Sequence, residues 1–469
     1  MRKEQVNAVN TYPLTGAQKM HQIWIEQYGT QQVSNVSVVA ALQSPLQFGL
    51  LKQCIEMEIA RNECLRVRFT APDEMGEVQQ YVVPFDARDI EMRNLSEMTL
   101  QEADHVMQKW AYNTFDGDNI PMCEFFLMKL PDGYNGFFLH VDHRLLDSCG
   151  LVVTINDIMK IYAHFRFGTD MPEPLASFTQ VLRKDLAKAS PGTRRFEKDR
   201  KFWQDQIDTL GEPIYTDIQG LSVLQEARKK HNDKTLRAGD IETDNLMVKV
   251  KDYILEADST KGLMDFCMNH EVSMNNVLLL GLRTYLSRVN GGQEDVSIMN
   301  FISRRSTHEE WTSGGSRTVA FPCRTVISPD TEFLDALYEV QNVQNRIYMH
   351  ANYDPALIRA QYVEKFPIPV NTTYESVWLT YQPMPVAVDN PYIAQIPQHA
   401  VWFANGAATK KLYLTVSYTD RKEMRFSFHY QVAHLEEHDI ELLYYYLMKL
   451  LFTGIASPDT TIGELMHTL

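Results

Sequence analysis

The stretch from Cys123 to Phe167 constrains the fold more than any other part of the chain. Cys123–Leu130 and Gly136–Asp142 are β-prone runs separated by the turn formers Pro131, Asp132, Gly133 and Asn135, the pattern of a hairpin. Apolar residues then recur at 151, 152, 155, 158, 159 and 162, the helical period, across Gly150–Phe167. Asp147 or Ser148 stands where a helix start needs a capping side chain. A hairpin that runs straight into a long amphipathic helix requires a sheet with helices laid on it, and the same alternation continues in both directions. Helical spacing appears at Leu46–Asn62, where Leu50, Leu51, Cys54, Ile55 and Ile59 line one face, and around Leu100, Val106, Met107 and Trp110. Further on come a strand (Val248–Glu256), a helix (Met274–Arg288), β-prone segments (Val296–Ser303, Thr318–Ser328), a helix (Glu332–Arg346), strands between Val377 and Tyr430, and a helix from Leu435. This predicts an α/β (α+β) sandwich in each half of the chain. The 469 residues have room for two lobes, and a boundary near residue 180 divides them into 1–180 and 181–469. No period of 20–50 residues recurs, so solenoids and propellers are not supported. Arg183–Lys201 and Gln225–Asn245, rich in charge and poor in core residues, read as exposed connections, the first leading into a helix around Phe202 and Trp203.

Charge narrows the partners. A formal net charge of −15 provides no positive field to gather phosphates, which argues against nucleic acid and against anionic lipid. Ile440–Ala456 is strongly apolar but carries Glu441 and Lys449 and is shorter than a membrane span, so it reads as a buried C-terminal helix. Cysteines 54, 64, 123, 149, 267 and 323 form no C-x-x-C pair and sit in apolar or mixed segments, as free, mostly buried thiols of a reducing compartment do. Met1–Gln18 has no apolar core of a secretory signal. A cytoplasmic protein is expected.

One segment has the residue types for chemistry. Phe137 to Ser148 (FFLHVDHRLLDS) places ionisable groups at the end of a strand and in the turn that enters a helix. His140 and Asp142 share one face of the strand, and His143 arrives where the strand ends and can project into a cleft. An imidazole titrates near working pH, so one His suffices to take a proton from an attacking amine or hydroxyl. Asp147 could orient that imidazole, or pin the loop by pairing with a buried Arg. The plain structural reading is a strand-end His bonded to backbone beside a helix-capping Asp. Metal ligation by His140, Asp142 and His143 lacks a recognisable fourth ligand, so no metal is expected. Ser148 and Cys149 do not lie in a G-x-S-x-G nucleophile turn.

At this point the chain resembles the condensation domains of nonribosomal peptide synthetases, within the chloramphenicol-acetyltransferase-like H-x-x-x-D acyltransferases. Asp142-His143-Arg144-Leu145-Leu146-Asp147-Ser148 is similar to the family's H-H-x-x-x-D-G motif, with Asp142 in place of the first His and Ser148 in place of the Gly. Pro13-Leu14-Thr15-Gly16-Ala17-Gln18 resembles its P-L-(S/T)-x-A-Q opening. Arg61-Asn62-Glu63-Cys64-Leu65-Arg66-Val67-Arg68-Phe69 is similar to R-H-E-x-L-R-(T/V)-x-F, the most specific match in the chain. Gly291 to Arg305 resembles the G-x-x-D-V…G-R segment, with Arg305 at the Arg position. Val319–Arg324 and Trp378-Leu379-Thr380-Tyr381 are looser matches, and the closing strands and helix follow the family order.

The resemblance implies two chloramphenicol-acetyltransferase-like lobes in a V-shaped pseudo-dimer, with a tunnel entered by phosphopantetheine-borne substrates. It implies His143 and Asp147 as the catalytic motif, supported by Asp142, Ser148 and an Asp147–Arg305 ion pair spanning both lobes, with Trp378 and Thr380 at the tunnel. The expected activity is an acyltransferase joining a carrier-protein- or CoA-borne acyl thioester to an amine, as in secondary metabolism. Alternatives are ester formation with an alcohol acceptor, or a degenerate module that recruits a carrier protein or enzyme. No tightly bound cofactor is implied. The chain reads as either a discrete protein or an excised module. The cluster Arg194, Arg195, Lys198, Arg200 and Lys201 could meet an acidic carrier, although a solvated helix face explains it as well.

Overall fold

The computed structural model describes residues 10–84, 88–383, 390–419 and 421–468. The first nine positions, read in the sequence for a leader, lie outside the described residues. The described residues form two compact units, one drawn from 10–190, 304–318 and 390–406, the other from 191–303, 319–383 and 407–468.

The first unit is built on a five-stranded sheet in the order Gln398–Phe403, Asn35–Gln43, Tyr134–Asp142, Cys123–Lys129, Glu91–Asn94. Its central hairpin is the predicted one, with the turn at Pro131–Gly133 and Asp132 at φ 54°. One face packs on helices Phe48–Arg61 and Ser148–Phe167 through Leu51, Ile55, Phe137, Leu139, Ile155 and Ile158. The other face packs through Phe138 and Met128 on helix Leu100–Trp110. Gly136 lies where the two central strands come closest: a Cβ there would sit 2.6 Å from Ala41 Cα and still closer to the Ala40 carbonyl.

The second unit carries a six-stranded sheet, Thr318–Val326, Asp295–Ser303, Val377–Gln382, Leu412–Tyr418, Met424–Gln431, Val248–Leu255. Asp295–Ser303, Val377–Gln382 and Leu412–Tyr418 run parallel, and the remaining pairs from Leu412–Tyr418 outward are antiparallel. Helices Met274–Val289 and Glu437–Ala456 bury one face of it, the latter being the apolar C-terminal helix foreseen in the sequence. They cross at Gly281, where a Cβ would come within 2.7 Å of Leu447 and Leu451 side chains. Among the described residues no helix is long and apolar enough to cross a membrane.

The charge-rich stretches differ from expectation. Arg183–Lys188 and Arg194–Lys201 belong to helices Phe178–Lys188 and Arg194–Leu210, joined by a turn, and Gln225–Lys230 closes helix Leu221–Lys230. Their apolar stripes are narrow, with Val181 and Leu182 in one helix and Trp203 and Ile207 in the next, so solvated charge outnumbers them in a linear reading. Within Arg194–Leu210, Arg195 pairs with Asp199, Arg200 with Glu197 and Lys201 with Asp205, each one turn away. The basic cluster is thereby offset by carboxylates of its own helix.

Candidate active site

The loop from Asp142 to Ser148 is held from both sides by the first unit. Strand Tyr134–Asp142 pairs with Asn35–Gln43 in a register that sets His140 opposite Ser37 and Asp142 opposite Asn35. Ser37 Oγ lies 2.7 Å from His140 Nδ1, and the Asn113 carbonyl lies 3.1 Å from Nε2. A carbonyl only accepts, so Nε2 carries a proton. Burial pulls the pKa of His140 down to about 4, in keeping with that role as a core polar group.

Asp142, at the position of the family's first His, is fully buried and works as a hub. It accepts from the Arg144 backbone N–H at 2.8 Å, the Arg144 guanidinium at 2.7 Å and the Gln31 amide at 2.8 Å. Arg144 in turn donates to Gln22 at 2.5 Å and lies over the Phe69 ring at 4.4 Å. This ion pair brackets His143, whose own backbone N–H donates to the Ser34 carbonyl at 2.6 Å. The His143 ring is half-buried and stacks on His21 with centroids 4.2 Å apart and planes 20° from parallel.

Asp147 caps helix Ser148–Phe167 by accepting from the Gly150 N–H at 2.9 Å. The same carboxylate accepts from both terminal nitrogens of Arg305, at 2.7 and 2.8 Å, the backbone N–H groups of Arg317 and Thr318, each at 2.9 Å, and the Thr318 hydroxyl at 2.9 Å. The side chains of Arg305 and Asp147 are 0 and 1% exposed. Burial pushes this carboxyl up, but the guanidinium and the N–H donors outweigh it and hold it well below the usual carboxylate range. Of the two roles open to Asp147 from sequence, the structure builds the loop-pinning one, since both its oxygens are filled. The resemblance implies a pair that spans two lobes. The structure places it inside the first unit instead, because segment 304–318 is sewn there by Arg305–Asp147, Arg317–Asp185 and Lys188–Glu310 contacts. Ser148 opens the helix, half-buried.

The motifs that carried the resemblance clasp this loop. Thr15 and Gln18 form a capping box on helix Gly16–Tyr28, and buried Gln18 donates to the Arg144 carbonyl at 3.2 Å. In the Arg61–Phe69 run, Asn62 caps the following turn at Cys64, Cys64 Sγ lies 2.9 Å from the Leu145 carbonyl, and Arg61 meets Asp157 of helix Ser148–Phe167 at 3.1 Å.

Trp378 and Thr380 belong to the second unit, on one face of strand Val377–Gln382. Thr380 Oγ1 bonds the Tyr413 hydroxyl at 2.9 Å, and Lys410 Nζ lies 5.1 Å from the Trp378 ring centroid. Burial pulls Lys410 down to about 7 and its neighbour His429 to about 4. Lys410 and His21 lie in none of the motifs read from the sequence and meet these partners only through folding. Among the described residues no group of three His, Cys, Asp or Glu side chains is placed to hold a metal ion.

The model of the condensation-domain family matches residues 8–468. The chain belongs to the condensation-domain family. A plipastatin synthase chain of Bacillus subtilis is 20% identical over 463 residues, covering 98% of this chain and 17% of that protein. Surfactin synthase subunit 1 of the same organism is 25% identical over 357 residues, 74% of this chain and 9% of that protein. The condensation domain therefore spans under a fifth of the length of these two relatives. Among solved structures, the first condensation domain of the calcium-dependent antibiotic synthetase, in complex with a substrate analogue, superposes with a TM-score of 0.77 at 17% identity, covering 97% of this chain and 99% of that one. A single-substitution mutant of the starter condensation domain of rhizomide synthetase, in complex with C8-CoA, gives 0.78 at 15% identity, covering 97% of each chain. The mixed α/β architecture is thus the chloramphenicol-acetyltransferase-like fold of condensation domains.

Proposed function

We propose that this condensation domain transfers an acyl group from a phosphopantetheine-type thioester, borne by a carrier protein or CoA, to an amine, forming an amide. The observation that carries the reading is the construction of the loop around His143. Asp142–Arg144 on one side and Asp147–Arg305 on the other are buried ion pairs, and they fix the backbone on both flanks of a half-buried imidazole. Burying two such pairs costs desolvation, so they serve the placement of what lies between them better than they serve stability. In the reaction the acceptor nitrogen adds to the thioester carbonyl, His143 receives the proton the nitrogen sheds, and the C–S bond breaks as the thiolate leaves and is protonated. Asp147 acts through the loop, as a positioning residue. Trp378 and Thr380 are proposed to contact substrate. The complex of a mutant rhizomide starter domain with C8-CoA supports a CoA-borne donor as one option here. An ester product from an alcohol acceptor is the alternative chemistry of the same site.

The test is thiol release from acyl-pantetheine and acyl-CoA donors, each with amine, alcohol or no acceptor. Release that depends on an amine and falls about 100- to 10,000-fold in His143→Ala is the expected result. Dependence on alcohol alone selects the ester. A His143→Ala variant with unchanged release removes His143 from the chemistry, and silence across the panel with a carrier protein still bound favours a recruiting module.

A further inference from the structure

Helix Gly16–Tyr28 presents three side chains to the His143 loop from one face, at the i, i+3, i+4 spacing that puts helical residues side by side. Gln18 donates to the Arg144 carbonyl at 3.2 Å, and Gln22 accepts from the Arg144 guanidinium at 2.5 Å. Between them His21, 4% exposed, lays its ring on that of His143 at 4.2 Å and 20°, while Trp24 meets His21 edge-on at 5.0 Å and 84°. The His143 backbone is set by its bond to Ser34 and by the turn from Leu145 N–H to the Asp142 carbonyl. Those backbone bonds do not by themselves fix the imidazole torsion, and a terminal sp³–sp² torsion is broad by nature. A flat partner stacked on the ring restricts that torsion, and Trp24 keeps the partner itself from turning.

We propose that His21 is a positioning residue that holds the plane of the His143 imidazole through ring stacking. The inference rests on the catalytic reading of His143 given above. It assigns to the opening helix a task that its capping and glutamine contacts do not perform: they anchor the loop backbone, and His21 aims the ring. A modest error in aim is costly when the ring must meet a proton on a nitrogen at bonding distance.

Three variants of the full chain test it, each read by steady-state kinetics and by NMR of ring-labelled histidine. His21→Phe keeps a flat ring, whereas His21→Leu and His21→Ala do not, and Leu also keeps the volume buried. The expected result is a kcat lower by about 10- to 100-fold in the Ala and Leu variants with donor and acceptor KM unchanged, and recovery of most of it in Phe. The His143 ring protons should move downfield in Ala and Leu, where the shielding ring is lost, and stay near their wild-type position in Phe. Full turnover in Leu or Ala, with His143→Ala inactive, overturns the positioning role alone. Full turnover in His143→Ala overturns the catalytic reading instead, and the ring-proton shifts still report whether the stack exists.

Discussion

A buried carboxylate that satisfies six donors, as Asp147 does with Gly150, Arg305, Arg317 and Thr318, has no capacity left to act as a base. Its energetic weight lies in what its loss would strand. Asp147→Asn leaves the Arg305 guanidinium charged, 0% exposed on its side chain and without its anion, which costs about 3–5 kcal/mol. We expect that loss in the urea midpoint of the variant, and a smaller one in the double variant with Arg305→Met, where no orphan charge remains. The pH dependence follows from the depressed carboxyl. Its contribution is complete above the unfolded carboxylate pKa of about 3.9 and disappears as pH falls through the lower folded value, so wild type and Asp147→Asn should converge only in strong acid.

At the scale of elements, Gly136 and Gly281 both mark close approaches and differ in what surrounds them. At Gly136 the obstacle is backbone of the neighbouring strand, which moves only if the sheet opens. At Gly281 it is the ends of Leu447 and Leu451, which have other rotamers. Gly136→Ala is therefore expected to exceed the usual overpacking cost of about 1–3 kcal/mol, and Gly281→Ala to fall within it, as measured by denaturant midpoints. Gly136→Ala should also depress turnover, because strand Tyr134–Asp142 carries the His143 loop at its end. The hairpin and helix Ser148–Phe167 were legible in the sequence because period and turn residues are local signals. Helices Phe178–Lys188 and Leu221–Lys230 were not, because each owes its helical state to a few buried residues beneath a charged surface.

For the whole molecule, buried groups that must enter the core uncharged lower stability in acid. His140, 1% exposed, is held at about 4 against 6.5 for a free imidazole. The unfolded chain then binds a proton that the folded chain refuses, so stability falls as pH drops from about 6.5 towards 4, by up to about 3 kcal/mol from this residue. His429, also held at about 4, acts in the same direction in the second unit, discounted for its partial exposure. Unfolding followed at a series of pH values should show this slope, and His140→Phe, while less stable at neutral pH for leaving Ser37 unpartnered, should lose about one proton's worth of it. An unchanged slope would mean that His140 titrates normally in the fold.

The amino-acid sequence by itself determined the class of fold, the strand-loop-helix that displays His143, and family membership through ordered motifs, since these depend on local periodicity and on residue identity at fixed spacing. Only the tertiary structure decided what the motif residues do. It joined Asp147 to Arg305 across 158 positions of chain, turned Asp142 into the partner of Arg144, and set His21 against His143 from a helix at the other end of the first unit's sequence. Such contacts have no local signature, because they arise when elements remote in sequence are packed together to bury their apolar faces.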